Sequence, residues 1–124
     1  MDITPSLPAG SQVIEAYGGG GFRIAGRVWA GSVLVFADRT RAWPGGDIAA
    51  LTPESLVAVE RAAEVEILLI GCGPEMALIE PALRARFKAA GVVIDAMDTG
   101  AACRTFNVLL SEARPVAAAL IAVE

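Results

Sequence analysis

The residues whose types and spacing suit chemistry lie between positions 98 and 107: Asp98, Thr99, Cys103, Arg104 and Asn107. A helix starting near residue 100 would turn its free N–H groups and the positive end of its dipole toward Asp98 and Thr99. Arg104 adds a full positive charge, and Asn107 lies one turn farther along the same stripe. Such a set can hold an anion, a phosphate or a carboxylate, as the ligand of a small-molecule binder or an enzyme. The same residues have an internal use, with Arg104 paired to Asp98 or a neighbouring carboxylate and Asn107 bonded to buried backbone. Cys103 falls in the first turn, where the dipole and Arg104 would favour a thiolate. No general base stands nearby in sequence, which favours a buried structural cysteine. Cys72, in Gly71-Cys72-Gly73 after an apolar run, is the second thiol, and a Cys72–Cys103 redox pair at neighbouring strand ends is a further chemistry.

The elements that must position these residues are legible on either side. Val92-Val93-Ile94 is a β-branched run suited to a strand over 92–97. Asp98 or Thr99 supplies a capping oxygen, worth about 1 kcal/mol over alanine. Ala102, Phe106, Leu109, Leu110 and Ala113 then recur at the spacing of one helix face, which predicts a helix over 100–113 with Phe106 in the core. Pro115 stops it, and the apolar run at 116–122 reads as a strand covered on both faces. Thr52-Pro53 is a helix start, predicting a helix over 53–63, and Pro81 starts another over 81–90, ended by Gly91. Between these two, Ile67 to Ile70 is the apolar centre of a strand over 65–70. It leads into a loop at a strand carboxyl end, where open α/β sheets place ligands.

In the first half, Val13–Tyr17, Phe22–Ala30 and Ser32–Ala37 are β-type runs punctuated by glycine, a meander or stacked hairpins, with Arg39–Trp43 a further strand. Gly18 to Gly21 form a turn, and Pro44-Gly45-Gly46 another. Phe22, Trp29 and Trp43 are core aromatics first. Glu60, Glu64 and Glu66 form a solvated patch around a helix end. The whole is one three-layer α/β domain over 1–124: a central mixed sheet, N-terminal hairpins, helices packed on the sheet, and an irregular arm at 1–11.

Composition narrows the chemistry. The 124 residues are 55% hydrophobic, enough for a core without disulfides or metals. The absence of histidine excludes Ser-His-Asp and Cys-His catalysis, His-ligated metals and a histidine switch. The two cysteines do not have metal-site spacing, and no pattern implies a cofactor. A net charge of −4 argues against nucleic acid. No run approaches the roughly 20 apolar residues of a membrane-spanning helix. The opening Met1-Asp2-Ile3-Thr4-Pro5 has no basic apolar leader, so the expected compartment is the cytoplasm, with both thiols reduced.

The segment from Met97 to Ile121, together with Tyr17-Gly18, Gly21-Phe22-Arg23 and Gly31-Ser32 upstream, resembles a small uncharacterised α/β family of archaeal and bacterial proteins. That family includes a mitochondrial respiratory complex I assembly factor. The likeness runs over roughly residues 12 to 122 and implies the family's fold. Together with the missing histidine and metal ligands it points to a noncatalytic binding or assembly module, and it implies a protein-partner surface of which the Phe22-Arg23 pair after the glycine turn is a candidate part; a homodimer is a separate arrangement to test. The anion site at Asp98–Asn107 and the thiol pair are the alternatives.

Overall fold

Glycine-punctuated apolar runs give the first half its strands. In the computed structural model, which describes residues 7–44 and 46–124, β1 (Ile14–Gly18), β2 (Gly21–Ile24) and β3 (Arg27–Ala30) form an antiparallel sheet in that order. The expected glycine turn joins β1 to β2, with Gly19 and Gly20 both at positive φ. The single run expected over Phe22–Ala30 is instead two strands. Ala25 and Gly26 sit at φ 50° and 81°, the two-residue hairpin geometry that matches strand twist. An alanine in that conformation carries little turn signal, and the Ala25 amide is held by the Val13 carbonyl at 3.0 Å. β4 (Val33–Val35) and β5 (Thr40–Ala42) form a second hairpin. Residues 1–6 of the expected N-terminal arm, and Gly45 of the Pro44-Gly45-Gly46 turn, lie outside the described residues.

The helix expected over 53–63 is also shorter and less regular. A 3-10 segment, Pro53–Leu56, is capped by the Thr52 hydroxyl and followed by one α-turn, α1 (Val57–Glu60). Leu56, at φ −114° and ψ 10°, breaks the helical run between them. What fixes the segment is its buried side: Leu56 and Val59 are fully enclosed, and the Trp43 indole donates to the Ser55 carbonyl at 2.9 Å.

The rest follows the predicted alternation: β6 (Ile67–Gly71), α2 (Pro81–Ala89), β7 (Val93–Met97), α3 (Thr99–Ser111) and β8 (Val116–Leu120). α3 ends with Ala113 in the left-handed region, its amide and that of Arg114 bonded back to the last turn, just before Pro115. Together β5-β4-β8-β6-β7 make a five-stranded mixed sheet, with β8, β6 and β7 parallel. From β6 the chain moves one way to β7, then back across β6 to β8. Right-handed crossovers in opposite directions put their helices on opposite faces. The buried residues agree. Leu83 and Phe87 of α2 share a core with Leu68, Ile70, Ala117 and Ala119. Ala102, Phe106 and Leu110 of α3 share the other core with Leu69, Val116, Ala118 and Leu120, over which the three-stranded sheet also packs. The period-two alternation within β6 and β8 sorts their side chains between the two cores.

Among the described residues, no helix is long and apolar enough to cross a membrane. Phe106 is fully buried at the centre of the α3 core. Phe106→Ala should therefore cost about 3–5 kcal/mol in a denaturant titration; a loss under about 1 kcal/mol would mean that this helix face is misassigned.

Candidate functional site

Where β6, β7 and β8 end, the sequence provides Cys72-Gly73, Asp98-Thr99 and Ile121. Asp98 caps α3, its Oδ1 accepting from the Ala101 amide at 2.8 Å. Thr99, fully buried, donates its hydroxyl to the Ile121 carbonyl at 2.7 Å and accepts from the Gly73 amide at 2.9 Å. Its own amide donates to the Gly73 carbonyl at 2.8 Å. Gly73 sits at φ 101° to meet it, a conformation that favours glycine. Gly71 leaves the space beside it: a Cβ there would stand 3.0 Å from both the Thr99 Cα and a Leu120 methyl.

Farther along α3, Asn107 grips β1 as a strand would. Its Oδ1 accepts from the Ile14 amide at 2.9 Å and its Nδ2 donates to the Ile14 carbonyl at 2.8 Å. Arg104 donates through Nη1 to the Tyr17 hydroxyl at 3.0 Å. None of the ion pairs among the described residues includes it, so a phenol stands where Asp98 or a neighbouring carboxylate was the expected internal partner. Gly100 makes room for that phenol, since a Cβ there would lie 2.7 Å from the Tyr17 oxygen. Tyr17, Cys103, Arg104 and Asn107 line a groove of about 310 Å³ between β1 and α3. Cys103, Arg104 and Asn107 are thus brought together, while Asp98 and Thr99 are occupied at the helix start. Tyr17 and Gly100 join the set without having been read as site residues, because Tyr17 and Arg104 lie 87 positions apart.

The remaining candidates scatter. Phe22 is buried under the three-stranded sheet, while Arg23, next in the strand, points to solvent beside Glu15 at 3.6 Å. Cys72 belongs to the α2 core and Cys103 to the α3 core, on opposite faces of the main sheet. Both are buried free thiols. Among the described residues, no three His, Cys, Asp or Glu side chains gather into a metal-holding group. The expected glutamate patch is engaged at two members: Glu60 holds Arg86 at 2.7 and 2.8 Å, and Glu64 meets Arg39 at 3.3 Å.

One exposed apolar feature escaped sequence reasoning. In the loop between β6 and α2, Leu78 is 90% exposed and Met76 60%. Leu78 lines a groove of about 470 Å³ together with Ile48, Leu51, Ile79 and Leu83. The loop has neither strand nor helix period, so nothing in its pattern marks these residues as outward.

Burial pushes the Cys103 thiol up to about 12, with Arg104 opposing and Asp98 adding to the rise. The thiol should therefore react slowly with alkylating probes at neutral pH in the folded protein, and rapid labelling would contradict its enclosure. Because the folded value lies above the ordinary one of 9.0, unfolding releases this proton first. Stability from this group is whole below about pH 9 and is lost as pH rises toward 12. An alkaline titration of unfolding should accordingly fall more steeply for the wild type than for Cys103→Ala.

The comparisons with known proteins agree with the likeness noted in the sequence. An uncharacterised protein of Rhodobacter capsulatus is 41% identical over 114 residues, covering 91% of this chain and 86% of that one. The NADH dehydrogenase (ubiquinone) 1 alpha subcomplex assembly factor 3 of Xenopus tropicalis is 35% identical over 109 residues; the match covers 87% of this chain but 60% of that protein. A solved structure described as an outer membrane protein from Bartonella henselae superposes with a TM-score of 0.85 at 40% identity, over 93% of this chain and 98% of that one. Residues 14–121 match the family described as a protein of unknown function (DUF498/DUF598), and the chain belongs to that family.

Proposed function

We propose that this chain is a noncatalytic binding module that holds a protein partner during assembly of a respiratory complex, working in the cytoplasm. The observation that carries this reading is the use made of the polar groups around the start of α3. Asp98, Thr99 and Asn107 spend their side-chain hydrogen bonds on this chain's own backbone. Cys103, beside them, is buried with its thiol protonated at neutral pH. Groups so committed hold strands and helix ends in place, and they leave recognition to the outer surface. The assembly role is drawn from the Xenopus assembly factor, through the 60% of its length that this chain matches.

In a host that makes both this protein and a respiratory NADH dehydrogenase, the tagged chain should bring down identified subunits of that enzyme. Deleting the gene should lower the assembled enzyme on native gels. Undiminished enzyme in the deletion strain would contradict the reading. A folded Cys72→Ala, Cys103→Ala chain should restore assembly as fully as the wild type; its failure to do so would favour the thiol-redox alternative.

A second reading, an anion site, is favoured by one observation: the Arg104 guanidinium meets a phenol and no carboxylate among the described ion pairs, beside the β1–α3 groove. Arg104→Ala should then change stability by no more than about 0.5 kcal/mol, as at most surface positions. It should also abolish any thermal shift that phosphate or a dicarboxylate gives the wild type. Identical shifts in variant and wild type would remove the site.

A further inference from the structure

We propose that the groove between the Ile48–Leu51 segment and α2 docks a basic amphipathic helix of a partner protein, an inference that rests on the binding-module reading. Its floor belongs to the fold's own core. Ile79 and Leu83 are core residues, and Ile48 and Leu51 pack against the same core, so the cleft is backed by the fold's own apolar interior. At its lip Leu78 stands almost wholly in solvent, two residues from exposed Met76. Isolated exposed apolar residues are ordinary. Leu78 on the cleft, with an exposed methionine two residues before it in the same loop, supplies the adaptable surface that grips an incoming helix.

Charge selects the occupant. Glu80 lines the groove, and the exposed Asp47 and Glu54 adjoin its wall residues Ile48 and Pro53 in sequence, as Glu75 adjoins Met76. None of these four acids is in an ion pair among the described residues. Arg86, the cation in the wall, is already held through two hydrogen bonds by Glu60 and lies close enough to Glu54 to feel its charge. Acidic residues thus flank an apolar floor, with Glu80 on the groove itself and Arg86 already paired with Glu60. A helix with apolar anchors at i, i+3, i+4 and i+7 and lysine or arginine on its flanks meets both features. An acidic helix would face like charge. A second copy would set the same acidic residues against themselves, because a two-fold interface is self-complementary.

The test is fluorescence anisotropy with three labelled peptides: leucines at helical anchor spacing with lysines elsewhere, its scrambled isomer, and the same pattern with glutamates for lysines. The lysine amphipathic peptide should bind best, at least about tenfold more tightly than its isomer, and more weakly as salt rises. Leu78→Asp, at a position too exposed to disturb folding, should weaken it by about tenfold or more. Glu54→Lys with Glu80→Lys should weaken it too, and move preference toward the glutamate peptide. Equal binding of the scrambled isomer, no binding of any peptide, or indifference to Leu78→Asp would overturn the proposal. So would self-association that Leu78→Asp abolishes, which would assign the groove to a second copy. The two readings fail separately. If Leu78→Asp still brings down NADH dehydrogenase subunits as the wild type does, the groove proposal fails and the assembly reading stands. If the wild type brings down none while the peptide results hold, the assembly reading fails and the groove proposal stands.

Discussion

The fold turns on one buried hydroxyl. Parallel strands that end side by side leave backbone groups unpaired at their carboxyl ends, and in many α/β sheets a ligand occupies the resulting crevice. Here Thr99 fills it, bonding the ends of β6 and β8 from the first residue of α3, which starts where β7 stops. Neighbouring positions are constrained to suit. Gly71 must lack a side chain for Thr99 to approach, and Gly73 must turn left-handed to offer its amide. An unpaired buried backbone group costs about 1–3 kcal/mol, so losing this hydroxyl would orphan two of them together.

From that anchor the positions of the other polar residues follow. With its start fixed by Thr99 and the Asp98 cap, α3 carries Asn107 to the Ile14 backbone and Arg104 to Tyr17. The three-stranded sheet is thereby fastened to the helix by hydrogen bonds and by the shared core beneath it. The α3 side spends these polar groups on internal attachment, while Tyr17, Val28 and Val108 stand exposed there. Across the sheet, the α2 side carries the outward-facing leucine and methionine and the larger groove. The two helices are sent to these different tasks by the same topological fact, the reversal of direction after β7.

Legibility in the sequence followed the range of the interaction. The Asp98 cap, the spacing from Ala102 to Ala113, the stop at Pro115 and the unbroken apolar runs of β6 and β8 are local signals, and each gave its element to within a few residues. Less regular local geometry was lost: alanine at positive φ in the Ala25-Gly26 turn, and the break at Leu56 between two short helical pieces. Contacts across the chain left no trace in spacing. Arg104 showed that a cation needed a partner, yet nothing near it named Tyr17, and Asn107 could not announce Ile14 from 93 positions away. Burial was equally mute for Met76 and Leu78, because an apolar residue in a loop reads alike whether it faces the core or the solvent.

Native-state hydrogen exchange at the Gly73 amide tests the Thr99 clasp most directly. Loop amides ordinarily exchange through small local openings. If the hydroxyl locks the strand ends, Gly73 should exchange only when the whole protein unfolds, with the same protection as Leu69 inside β6. In Thr99→Val it should fall to local opening while Leu69 stays protected. Rapid exchange of Gly73 in the wild type, alongside a protected Leu69, would contradict the account and leave the crevice at the strand ends open to a ligand.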